Sequence, residues 1–172
     1  MPDAYKPLSE DEILAHIGTL LINVQQFEYL LSAALKQIFA DQKDLTPEKL
    51  FAIDRRTLGK LLTALSNKAP LDAGTSALLK SLLAERNYFV HYLGSQGRLD
   101  LRTDAGRDRA MDFLGPFTEK LLHAIRLFLA LHVKHSDDIG FRSVLMEKIR
   151  TDPVYKVSEH YQQAAKLRKK RK

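Results

Sequence analysis

The sequence predicts an all-α protein built as an up-and-down helical bundle, and three observations carry that expectation. Apolar residues recur at steps of three and four over long segments, the spacing of one buried helix face. No segment sustains a two-residue alternation with β-branched residues, the mark of a half-buried strand. Residue types that start and stop helices bracket the periodic segments. At 172 residues the chain suits one domain and can bury about 70% of its unfolded surface, so a core needs no cross-link.

The first segment runs from about Glu10 to Ala40. Ser9 followed by Glu12 is a capping-box pattern. Ile13, Ile17, Leu20, Leu21, Val24, Phe27, Leu31, Ala34, Leu35 and Ile38 form its stripe. Thr46-Pro47 opens a second, looser segment through Leu50, Phe51 and Ile53, with Thr as cap and Pro at the first helical position. A third carries Leu58, Leu61, Leu62 and Leu65 and stops near Pro70. Gly59 inside it points to close helix packing, because glycine weakens a helix by about 1 kcal/mol relative to alanine. A fourth runs from Asp72 or Thr75 to Leu93, with Gly94 as its expected C-cap.

After a polar turn from Ser95 to Thr103 comes a fifth, long helix, about Asp104 to His135. Met111, Leu114, Phe117, Leu121, Ile125, Phe128 and Leu131 line it. Gly115-Pro116 is expected to kink or divide it. A sixth helix near Asp137 to Arg150 is closed by Asp152-Pro153, and a short basic helix or tail starts at Ser158. The reading is therefore five to six helices, with the long ones antiparallel and joined by short connections. They make up a bundle over 1–157 and a basic tail over 158–172.

Composition excludes several function classes. There is no cysteine, which removes disulfides, thiolate metal sites and cysteine nucleophiles together. The most apolar run, Leu121 to Val133, is interrupted by His123, Arg126 and His132 and falls short of the roughly 20 residues a membrane span needs. The polar, acidic start is not a secretory signal. A cytoplasmic protein without a membrane partner is expected. The formal net charge is +6, and six residues after the last acid, Glu159, account for all of it: Lys166, Arg168, Lys169, Lys170, Arg171 and Lys172. The rest of the chain is neutral. Such a block engages nucleic-acid phosphates or an acidic partner, or is a solvated terminus.

No glycine-rich phosphate loop, Gly-x-Ser-x-Gly elbow or His-Glu-x-x-His helix is present. His132 and His135, with Asp137 and Asp138 beyond, have a spacing that two metal ligands could share. Histidines at a helix C-terminus are also favoured by the helix dipole, and without a convincing third ligand no metal or other cofactor is expected. The other constellation is Glu85-Arg86-Asn87-Tyr88-Phe89-Val90-His91-Tyr92, a polar cluster in the last turns of an otherwise apolar helix. Asn87 and His91 are one turn apart and share a face. Arg86 and His91 lie roughly 140° apart around the axis, so a second copy of the helix is the natural source of a closer Arg–His pair. A homodimer follows.

Glu85-Arg86-Asn87-Tyr88-Phe89-Val90-His91 resembles the signature of the HEPN superfamily, in which an Arg is followed by a polar residue and, four to six positions on, a His. Thr57 to Leu62 is also similar to what precedes the motif in some bacterial members. Arg126 and His132 satisfy the same bare spacing, but Leu127 follows Arg126, and the pair reads as core-edge residues. The resemblance implies a dimeric helical bundle and a metal-independent endoribonuclease of the toxin–antitoxin or antiviral-defence kind, with an antitoxin protein as partner. In that chemistry the ribose 2′-hydroxyl attacks the adjacent phosphorus and leaves a 2′,3′-cyclic phosphate. His91 would move protons, Arg86 would grip the phosphoryl oxygens, and Asn87 would position. One departure stands out: members paired with nucleotidyltransferase antitoxins often carry Tyr two positions after the His, and here that position is Leu93, with Tyr92 adjacent to His91. The alternatives are a non-catalytic dimeric adaptor or regulator assembled through Phe89 and Val90, and a nucleic-acid-binding module driven by the tail.

Overall fold

The computed structural model describes residues 8–39, 57–94 and 99–138. They form four helices and no strand: α1 (Glu10–Gln37), α2 (Leu58–Lys68), α3 (Ala73–His91) and α4 (Asp104–Asp138). The second predicted segment, the sixth helix beyond Asp138, the basic helix at Ser158 and the 157/158 boundary lie outside the described residues.

The capping box at the start of α1 is formed in both directions. The Glu12 amide donates to Ser9 Oγ at 3.3 Å, and the Ser9 amide donates to Glu12 Oε2 at 2.7 Å. Two otherwise orphaned backbone donors are thereby satisfied. Asp72 caps α3 through the Thr75 amide at 2.8 Å. Thr103 caps α4 through the Gly106 amide at 3.1 Å. That last turn is tight. A Cβ at Gly106 would lie 1.7 Å from the Asp100 carbonyl oxygen, so only glycine fits where the 99–103 turn folds onto α4. Arg107 holds the same turn by donating from Nη1 to the Leu101 carbonyl at 2.7 Å and pairing with Asp104.

The core sits between α1 and α4, with α2 and α3 closing it. Phe27, Phe117, Phe128, Leu31, Leu61, Leu65, Leu82 and Leu114 are fully buried. Each such side chain contributes about 1.5–3 kcal/mol relative to exposure. The predicted stripes of α1 and α4 are buried, or half-buried at Ile17, Ile38 and Met111, with the exception of Leu21, which is exposed.

Contacts between helices fix their directions. His16 meets Thr118, Phe27 meets Phe128, and Leu30 meets His132. Both helices advance together, so the two longest are parallel, not antiparallel. α3 and α4 are antiparallel: Ser81 and Glu85 contact Lys120, while Phe89, further along α3, stacks on the earlier Phe117. α2 and α3 are joined by residues 69–72 and form an antiparallel hairpin, with Gly59 facing Leu83. Hence α1, α2 and α4 point one way and α3 the other. Lys68 Nζ, at the end of α2, donates to the Phe39 carbonyl at the end of α1 over 3.1 Å.

Four local expectations are corrected. Gly115-Pro116 does not divide α4, which is continuous over 35 residues. Pro116 lies on the exposed side while Leu114 and Phe117 are buried, so core packing holds the helix across the missing N–H. α3 ends at His91 with Tyr92 as C-cap, and Gly94 lies beyond the cap. At Gly59 a Cβ would meet Leu83 at 3.8 Å, an ordinary contact, so the packing there does not require glycine. Asp137 and Asp138 belong to the last turn of α4 rather than opening another helix. No helix among the described residues is long and apolar enough to cross a membrane.

Candidate functional site

The motif occupies the last two turns of α3, where the helix leaves the core. Its residues face three ways. Phe89 points inward and stacks on Phe117 at 5.6 Å between ring centroids, and Tyr88 meets Phe113 at 5.0 Å. These two aromatics anchor the turn. Glu85 and Arg86 lie at the helix flanks, half-buried. Asn87, Val90, His91 and Tyr92 are exposed.

Each flank residue is tied to a different neighbour. Glu85 pairs with Lys120 of α4, which also donates to Ser81 Oγ at 3.2 Å. The second Glu85 oxygen is buried and has no partner among the described residues. Arg86 reaches α1. Its Nε donates to Glu28 Oε1 at 3.1 Å and its Nη2 lies 3.0 Å from the same oxygen. The remaining amino group, Nη1, turns toward Asn87 Oδ1 at 3.4 Å. One edge of the guanidinium is therefore neutralised by a carboxylate, and the other is presented beside Asn87. With side-chain exposures of 22% for Arg86 and 28% for Glu28, the pair is partly screened by water and contributes on the order of 1 kcal/mol.

The structure brings Arg86 and Asn87 into contact, and it leaves His91 apart from both. Among the described residues, the ring contact of His91 is Tyr92, at 6.2 Å and near perpendicular. Asn87 and His91 share the exposed face, as their four-residue spacing requires. Glu28 was not singled out from the sequence. Its one signal is position: a carboxylate directly after Phe27, at the border of the apolar stripe of α1, where burial demands a cationic partner.

One expectation changes here. Phe89 is core and is not available to an assembly surface, so of the two residues in the adaptor reading only Val90 is exposed. Leu93, two positions after His91, is buried, whereas Tyr92 is half-exposed. The six basic residues Lys166, Arg168, Lys169, Lys170, Arg171 and Lys172 lie outside the described residues.

The second Arg–His spacing resolves as core-edge structure. His132 is buried and its Nε2 sits 3.1 Å from the Leu30 carbonyl. A carbonyl only accepts, so Nε2 carries the proton and donates. Burial pushes the imidazole below its ordinary value of 6.5; the hydrogen bond to Leu30 opposes this, and neighbouring His135 adds to it. Among the described residues no group of three or more His, Cys, Asp or Glu side chains is placed to hold a metal ion. Comparison of the chain with protein-family models, with curated proteins and with solved structures finds no match.

Proposed function

We infer that the protein is a metal-independent, HEPN-type endoribonuclease acting as a homodimer in a toxin–antitoxin or antiviral-defence setting. The observation that carries this reading is the last turn of α3. It presents Asn87 and His91 to solvent on one face, with Arg86 braced beside Asn87 by Glu28. His91 is exposed, unlike His132, which packs as a core residue.

The chemistry these groups support needs no metal. An imidazole near neutrality accepts the proton of the ribose 2′-hydroxyl. The 2′-oxygen bonds to phosphorus as the bond to the 5′-oxygen breaks. That oxygen takes a proton from an imidazolium, so two imidazoles, or one that hands its proton across, complete the step. Arg86 keeps Nη1 clear of Glu28 for a phosphoryl oxygen, and Asn87 offers an amide donor beside it. The tail residues Lys166 to Lys172 would hold the RNA backbone.

The test is incubation of purified protein with single-stranded RNA beside His91→Ala and Arg86→Ala, with and without EDTA. Cleavage to cyclic-phosphate ends is expected from the wild type, unaffected by EDTA and lost in both variants. Intact RNA under every condition removes the enzyme reading. The second reading, a non-catalytic dimeric adaptor, draws on the exposed Val90 and Tyr92 beside His91. It expects His91→Ala to be silent and Val90→Glu to impair assembly.

A further inference from the structure

The outer face of α1 carries large apolar side chains that no packing among the described residues uses. Leu14, Leu21, Ile22 and Tyr29 are 47%, 44%, 65% and 72% exposed. Together with Gly18 and Gln25 they lie within an arc of about 100° on an ideal helix, well away from the buried stripe of Ile13, Leu20, Val24, Phe27 and Leu31. Isolated apolar residues on a surface mean little, but a contiguous row is the mark of an interface.

The order of the row identifies its partner. Leu14, Gly18 and Leu21 are followed by Ile22, Gln25 and Tyr29, so the spacing reads the same in both directions from the midpoint between Leu21 and Ile22. A two-fold axis through that point lays one α1 antiparallel on another. Leu21 then faces Ile22, Gly18 faces Gln25, and Leu14 faces Tyr29 of the second copy. An isologous interface demands this self-complementarity, because one surface must serve both sides.

Two further observations agree. The first turn of α1 carries Glu10, Asp11 and Glu12 and the last turn carries Lys36. Antiparallel pairing brings each acidic end within a turn of the other copy's Lys36 and opposes the helix dipoles, whereas parallel pairing would stack like on like. Gly18 lies mid-helix with nothing within 4 Å of a Cβ built on it. Among the described residues nothing accounts for a residue that weakens an exposed helix by about 1 kcal/mol. A second helix seated against it does, because glycine lets two backbones approach.

We propose that α1 is a homodimer seam, formed by antiparallel packing of the Leu14–Tyr29 face on the same face of a second copy. This surface does not rest on ribonuclease activity. It is a different seam from the pairing of two α3 copies that the motif suggested, and it borders the motif because Glu28, which holds Arg86, directly precedes Tyr29.

The absence of cysteine makes the register directly readable by single-cysteine crosslinking of the full chain. Ile22→Cys stands next to its own copy across the axis and is expected to form a disulfide-linked dimer under mild oxidation. Leu14→Cys is about 22 Å from its own copy in this register, at 1.5 Å per residue, and is expected to stay uncrosslinked; mixed with Tyr29→Cys it is expected to give a heterodimer. Wild type is expected to sediment as a dimer and Ile22→Glu as a monomer of unchanged helical content. Crosslinking of Leu14→Cys to itself overturns the antiparallel register. A wild type that stays monomeric at all concentrations, as it would if residues 139–172 covered the face instead, overturns the seam. Loss of RNA cleavage alone touches neither result.

Discussion

Gly106 shows how much a single position can decide. Alanine normally favours a helix over glycine by about 1 kcal/mol, yet here its methyl would overlap the Asp100 carbonyl at 1.7 Å. Gly106→Ala is expected to lower the unfolding free energy by about 1–3 kcal/mol, as overpacking does. Gly115→Ala, in the same helix with nothing within 4 Å, is expected to raise it by up to about 1 kcal/mol. Urea titration of the two variants beside wild type checks the contrast, and equal effects would show that the turn yields. The candidate site divides in the same way. Arg86, Asn87 and His91 were legible as a polar cluster breaking an apolar helix. Glu28, 58 positions from Arg86 in the chain, was not, because nothing local joins them.

Two histidine bridges register α1 against α4, fourteen residues apart on each helix. His16 Nε2 meets Thr118 Oγ1 at 2.9 Å, and that hydroxyl donates in turn to the Leu114 carbonyl at 2.7 Å, so its oxygen accepts from His16. His132 makes the second bridge, to Leu30, and it has a pH consequence. Its folded value is depressed below 6.5, so the unfolded chain binds its proton first as the pH falls. This contribution to stability is complete above pH 6.5 and declines as the pH drops through the folded value. Wild type is expected to lose stability between pH 7.5 and 5.5. His132→Gln, which keeps a donor for Leu30 but does not titrate, is expected to lose less. Denaturant midpoints at the two pH values measure this, and parallel slopes would remove His132 from the acid response. From the sequence, the periodicity of these helices was plain, but their mutual direction was not. Helical spacing says which face is buried and is silent on whether the neighbour runs with it or against it.

Along the whole chain, the net charge and the candidate site lie far apart in sequence. The six tail residues carry the net charge of +6, while the motif's own arginine is matched by Glu28 and its glutamate by Lys120. RNA affinity on the proposed reading therefore comes mainly from the tail. Binding is expected to weaken steeply with salt. Deleting Lys166 to Lys172 is expected to flatten that dependence, since the slope falls by about one for every phosphate that is no longer neutralised. Filter binding of a fixed RNA between low and physiological salt reads it out. An unchanged slope would move the RNA-binding surface onto the helical body.

Local order determined what the sequence could state alone: the all-helical class, the cap at Ser9, the buried stripes of α1 and α4, and the polar cluster at the end of α3. These follow from interactions within a turn or two of helix, where spacing in the chain is spacing in space. The tertiary structure decided the rest. It made α1 and α4 parallel, carried α4 unbroken through Pro116, put Phe89 inside and Val90 outside, and closed Glu28 on Arg86. Each of these depends on which surfaces meet after distant segments pack, and a side chain's neighbours across the core are set by that packing rather than by its neighbours in the chain.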